Sequence, residues 1–140
     1  MRTNKLREVL RMTDRELLTL AHNAMQTAYV PHSGFKVGAA LECSDGKVYT
    51  GCNVENSALG CTICAERNAV TSAVADGHRD FVRIAVVPSG GDDFCTPCGT
   101  CRQVLVEFAP EMEVLCAKPD GRYASYRADE LLPHYFRLKQ

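Results

Sequence analysis

Charge of one sign is scarce in this chain. Sixteen Lys and Arg stand against seventeen Asp and Glu, a formal net charge of −1 over 140 residues. The basic residues are scattered, as in Lys5 and Arg7, Arg11 and Arg15, and Arg79 and Arg83. A surface that coats a nucleic-acid polymer is therefore not expected. Long apolar runs are also missing. The longest uninterrupted stretches are a few residues, far short of the ~20 that span a bilayer, so no membrane partner is expected. Met1-Arg2-Thr3-Asn4-Lys5 leads into a polar-rich segment without an apolar h-region. That reads as no secretory signal and a cytoplasmic protein. No internal repeat, low-complexity segment or inter-domain linker interrupts the chain. Residues 1–140 read as one domain with core enough to fold without staples.

Cysteine, by contrast, is plentiful: there are eight. An even count could signal a disulfide framework, but without a secretory signal the thiols are better placed in a reducing cytosol. Cys43, Cys52 and Cys116 sit in apolar, strand-like runs and read as small core residues. The informative group is Cys64-Ala65-Glu66 followed by Pro97-Cys98-Gly99-Thr100-Cys101. Cys64, Cys98 and Cys101 supply three thiolates, enough to hold one Zn²⁺ per chain and leave its fourth position to water. Glu66, two positions after Cys64, stays near the metal without having to bind it. The order and the Pro match the zinc nucleobase-deaminase signature: His or Cys, then x-Glu, then Pro-Cys-x-x-Cys. Cys61 and Cys95 each precede a proposed ligand by three residues and are its rivals. With either as a fourth sulfur the site would be closed and structural.

Local patterning places these residues. Thr13-Asp14-Arg15-Glu16 reads as a capping box, and Leu17, Leu20, Ala21, Ala24, Met25 and Ala28 recur at helical spacing up to Pro31. Phe35, Val37, Ala39 and Leu41 alternate as a strand. After the turn Ser44-Asp45-Gly46-Lys47, residues 48–54 return as a second. Residues 64–75 read as a helix with Gly77 just past its end. Residues 81–87 are a nearly continuous apolar run, as in a strand covered on both faces. A Gly/Asp-rich loop over 88–97 precedes a helix at 100–108. Strands follow at 113–117 and 122–126, with a helical turn near 129–132. The order α-β-β-α-β-α-β-β predicts an α/β fold with helices on both faces of a sheet.

The proposed ligands fall near the starts of two helices, where partial positive charge and free N–H groups favour the thiolate. Three thiolates and Zn²⁺ sum to −1. Arg67 could donate to a ligand sulfur and offset that charge, and Arg102 is the equivalent candidate beside Cys101; otherwise either is a solvated helix residue. Glu66 is the proposed catalytic proton shuttle. It would take a proton from the attacking water, place one on a ring nitrogen and later protonate the leaving ammonia. The plainer alternative is a first-turn Glu favouring the helix dipole.

Taken together, the chain resembles the small, homotetrameric, zinc-dependent cytidine deaminases. The resemblance runs from about Thr13 to Phe136. It is carried by the blocks Tyr29–Ala40, Gly51–Asn56, Cys64–Arg67, Pro97–Gln103 and Glu130–Pro133. It implies a three-layer α/β/α fold on a mixed five-stranded sheet and hydrolysis of cytidine and 2′-deoxycytidine to the uridines plus ammonia, in pyrimidine salvage. It also implies substrate-binding residues that spacing alone does not reveal. Asn53 and Glu55 match a pair that hydrogen-bonds the ribose, and Phe35 an aromatic near the pyrimidine. Ala65 and Cys98 match positions whose backbone contacts the base or the attacking oxygen. Phe136 matches an aromatic reaching a neighbouring subunit's site. Without the resemblance, Phe35 would read as strand core and Asn53 and Glu55 as a strand end. Two departures stand out. His32 replaces a common Tyr and reads as a loop residue without a role, and Leu59 stands where an aromatic is frequent.

Three other functions compete. A deaminase of a cytosine-bearing antibiotic such as blasticidin would share the zinc blocks, but the intact Asn53-Val54-Glu55-Asn56 favours the nucleoside. A polynucleotide editor would need a basic groove and stacking platforms. A non-catalytic zinc module would need the fourth sulfur.

Overall fold

The computed structural model describes residues 11–139. The opening segment behind the secretory-signal reading, with Lys5 and Arg7, lies outside the described residues. Among those described, the elements run α1 (Asp14–Met25), β1 (Val37–Cys43), β2 (Val48–Cys52), α2 (Ala65–Ala75), β3 (Phe81–Pro88), α3 (Gly99–Phe108), β4 (Glu113–Ala117) and β5 (Tyr123–Arg127). Short 3₁₀ turns occupy Leu59–Cys61 and Ala128–Leu131. This is the order that the patterning predicts.

The strands form one mixed sheet in the order β2-β1-β3-β4-β5. β1 is antiparallel to both β2 and β3, β5 is antiparallel to β4, and only β3 and β4 run parallel, joined through α3. β3 is central and buried along nearly its whole length, as its apolar run requires. The period-2 alternation of the strands sends neighbouring side chains to opposite faces. Ala39 and Leu41 pack under α2 and α3 with Ala69, Val70, Leu105 and Val106. Ala40, Ala85 and Leu115 pack under α1 with Leu17, Leu18 and Ala21. The result is a three-layer α/β/α molecule.

Two glycines let the helices come this close. A Cβ on Gly38 would lie 1.9 Å from the Ala21 carbonyl of α1, and one on Gly51 would lie 2.4 Å from the Ala65 carbonyl of α2. Both neighbours are backbone, so only glycine fits at these contacts.

Thr13 caps α1 as expected, its hydroxyl accepting from the Glu16 N–H at 3.1 Å. The helix ends at Met25, however, well before Pro31. Tyr29 is drawn into a bridge with Val54, its N–H donating to the Asn53 carbonyl and its carbonyl accepting from the Glu55 N–H. That pairing competes with helix continuation and prevails. β1 likewise starts at Val37, leaving Phe35 in the preceding loop and 40% exposed. Cys43 and Cys116 are buried core residues, whereas Cys52 is half-buried at the end of β2.

Candidate active site

α2 and α3 lie on the same face of the sheet and share its core. Their N-caps are Cys64 and Cys98, both with extended backbone and neither using its side chain to cap the helix. The two sulfurs are therefore free at two positive helix ends, 3.8 Å apart. Cys101, one turn into α3, completes a group of three sulfurs within 4.8 Å of one another. A tetrahedral zinc with Zn–S bonds of about 2.3 Å sets its sulfurs about 3.8 Å apart, so the donor set fits this metal. Neither Cys61 nor Cys95 belongs to the group. Cys61 is exposed on the 3₁₀ turn, and burial pushes the Cys95 thiol up to about 12.

The electrostatics favour a bound cation. A hydrogen bond from Cys101, with help from Arg67 and Cys98, brings the Cys64 thiol down to about 5. The Cys101 thiol is raised by its hydrogen bond to Cys64 and by burial. Arg67 donates to Cys64 Sγ at 3.4 Å and to the Thr62 carbonyl at 3.3 Å. Its contact with the Cys64 sulfur raises its own pKa. Arg102 has different partners. It donates to the Pro97 carbonyl at 2.7 Å and to the Leu131 carbonyl at 2.8 Å, tying the start of α3 to the C-terminal 3₁₀ turn. It is therefore neither a sulfur ligand's partner nor a freely solvated helix residue.

Glu66 is the second residue of α2 and only 4% exposed. Burial, reinforced by the Cys64 charge, pushes its carboxyl up to about 7. A carboxyl that ionises near neutrality can both take and return a proton. Ala65 beside it is fully buried.

The Phe35, Asn53 and Glu55 candidates form a second group, held by hydrogen bonds. Asn53 Nδ2 donates to the Phe35 carbonyl at 2.9 Å, and Asn53 Oδ1 accepts from the Val37 N–H at 2.9 Å. Glu55 Oε1 accepts from the His32 and Ser33 N–H groups at 2.9 and 3.1 Å. The Ser33 hydroxyl donates to Glu55 Oε2 and lowers its pKa. His32, read from sequence as a loop residue without a role, thus contributes its backbone N–H. The Phe35 ring lies beside Gly90 and Gly91 of the loop after β3. Phe136 is 68% exposed, its carbonyl accepting from Gln103 Nε2 at 2.8 Å. Leu59 is 75% exposed. Ser33 was missed in the sequence. Its position two residues before Phe35, in a polar turn, was the available signal.

Residues 11–117 match the family model described as the cytidine and deoxycytidylate deaminase zinc-binding region. The chain belongs to this family. It is similar to a probable cytidine deaminase of Dictyostelium discoideum, 50% identical over 83% of this chain and 78% of that protein. A cytidine deaminase of Sporosarcina psychrophila is 44% identical over 89% of this chain and 92% of its own length. The crystal structure of cytidine deaminase from Burkholderia pseudomallei superposes with a TM-score of 0.87 at 46% identity, covering 89% of this chain and all of that one. That of Mycobacterium tuberculosis gives 0.77 at 40%, covering 91% and 100%. The zinc-binding region of the family thus coincides with the stretch that brings Cys64, Cys98 and Cys101 together.

Proposed function

We propose that the chain hydrolyses cytidine and 2′-deoxycytidine to uridine and 2′-deoxyuridine, releasing ammonia, as a pyrimidine-salvage enzyme of the cytoplasm. The observation that carries this reading is the buried Glu66 carboxyl beside three cysteine sulfurs at two converging helix starts. The relatives named above are cytidine deaminases, which supports the substrate class. All eight thiols are free, as suits a reducing compartment.

Cys64, Cys98 and Cys101 would hold the zinc, one per chain, and Arg67, through its contact with Cys64, would offset part of the thiolate charge. When bound, zinc supplies the Lewis acidity that makes an attacking water acidic near neutral pH. Glu66 takes a proton from the attacking water and gives it to the ring nitrogen, then takes the second proton from the hydroxyl added to the carbon and gives it to the amino group, which leaves as ammonia. Its burial keeps the carboxyl out of bulk solvent and its affinity for protons close to neutral. The backbones of Ala65 and Cys98 meet the base or the attacking oxygen. Phe35 packs near the pyrimidine, Asn53 and Glu55 hold the sugar hydroxyl, and Phe136 reaches the site of a neighbouring subunit in a homotetramer.

Ammonia release from cytidine by protein carrying one zinc per chain tests the reading. Zinc-loaded protein that releases none would refute it. A closed four-sulfur structural site is not supported, since the sulfur cluster has three members.

A further inference from the structure

We propose that Ser33 is a positioning residue for pyrimidine nucleosides, its hydroxyl holding the Glu55 carboxylate and the Phe35 backbone in register with each other. The inference rests on the nucleoside reading above.

The Ser33 hydroxyl makes two bonds of opposite sense. It donates to Glu55 Oε2 and accepts from the Phe35 N–H at 3.0 Å. The Phe35 carbonyl is in turn held by Asn53 Nδ2, two residues from Glu55. The residues therefore form a closed circuit, Glu55 to Ser33 to Phe35 to Asn53, that joins two segments about twenty residues apart. Without the Ser33 hydroxyl, Phe35 keeps its Asn53 bond, but its N–H loses its acceptor and Glu55 Oε2 loses its donor. The carboxylate is also nearly saturated. Oε1 accepts two N–H groups and Oε2 accepts one hydroxyl. A carboxylate offers about four acceptor sites, so about one is left, on Oε2. That is the oxygen Ser33 grips, so its hydroxyl sets the direction in which the remaining lone pair meets a sugar hydroxyl.

Ser33 is exposed and contributes nothing to either core cluster, so replacing it does not empty the interior. Its role is testable as a split between binding and turnover. Ser33→Ala is expected to raise KM for cytidine on the order of tenfold, as for loss of a hydrogen bond to a charged group. The turnover number should stay within about threefold and zinc at one per chain, because nothing at Glu66 or the sulfurs changes. Ser33→Thr, which keeps the hydroxyl, should recover most of the loss. A KM within twofold of the parent overturns the assignment. So does a fall in kcat at unchanged KM, a Thr variant as weak as the Ala variant, or an Ala variant that loses its fold or its metal. A zinc-loaded parent inactive on cytidine would instead bring down the nucleoside reading and this proposal with it. With an active parent, only the role of Ser33 is at stake.

Discussion

At the scale of single residues, the sharpest expectation concerns Glu66. Gln is nearly isosteric and would fill the same buried space, but it cannot carry protons. Glu66→Gln should keep fold and zinc and lose activity at the upper end of, or beyond, the about 10²–10⁴-fold typical of one acid–base group, because the proposed role gives one carboxyl several transfers. Ammonia-release rates within tenfold of the parent would exclude the role. The sulfurs divide in the same way. Cys64→Ala, Cys98→Ala and Cys101→Ala should each lose zinc, while Cys61→Ala and Cys95→Ala, outside the three-sulfur group, should keep about one per chain by metal analysis. Asn53→Ala and Glu55→Ala should impair cytidine far more than free cytosine, which has no sugar to hold. An abandoned buried polar partner costs about 1–3 kcal/mol. Comparing kcat/KM for the two substrates checks this, and equal losses on both would count against it.

At the scale of elements, the site depends on how closely α2 sits on β2. A methyl at Gly51 would meet the Ala65 carbonyl at 2.4 Å and the Ala69 N at 2.6 Å, and Ala65 adjoins Cys64. Gly51→Ala must therefore displace the helix that carries both Cys64 and Glu66. Overpacking of this kind costs about 1–3 kcal/mol, and zinc should bind more weakly as well. Gly60→Ala is the control, because a Cβ there has no neighbour within 4 Å. Thermal melts with and without a chelator should separate the two variants, and a Gly51→Ala protein as stable as Gly60→Ala would show that the contact yields easily. A second inter-element contact is ionic. Buried Arg83 of β3 pairs with Glu42 of β1 at 2.9 Å and with Asp14 at the start of α1. It fixes the helix on the opposite face of the sheet.

At the scale of the whole molecule, the exposed apolar side chains are informative. Phe136, Leu138, Leu59 and Tyr29 are large and exposed in the single chain. Sedimentation is expected to show a species of about four chain masses. Phe136→Ala should weaken cytidine binding while leaving zinc content unchanged, as the proposed reach of its ring into a neighbouring site requires. Leu59 would offer no ring at the proposed junction, which would increase the reliance on Phe136. A fully active monomer at assay concentration would overturn both expectations.

Short-range periodicity in the sequence determined the order of the elements, the cap at Thr13, the strand buried on both faces and the identity of the metal-binding blocks. Each of these depends on residues one to four positions apart, whose relative geometry the backbone period sets. The tertiary structure decided what depends on distant segments. Cys64 and Cys98 are 34 positions apart, and only the packing of α2 and α3 on one face of the sheet sets their sulfurs at 3.8 Å and leaves Cys61 and Cys95 aside. The same long-range pairing ended α1 at Met25, because Tyr29 bonds to the segment around Val54. It turned Arg102 toward two carbonyls rather than a sulfur. It also moved Phe35 out of its expected strand into the circuit with Ser33, Asn53 and Glu55. Hydrogen bonds between segments about twenty residues apart leave no period in a sequence, and for that reason the bond of Ser33 to Glu55 became visible only in the folded chain.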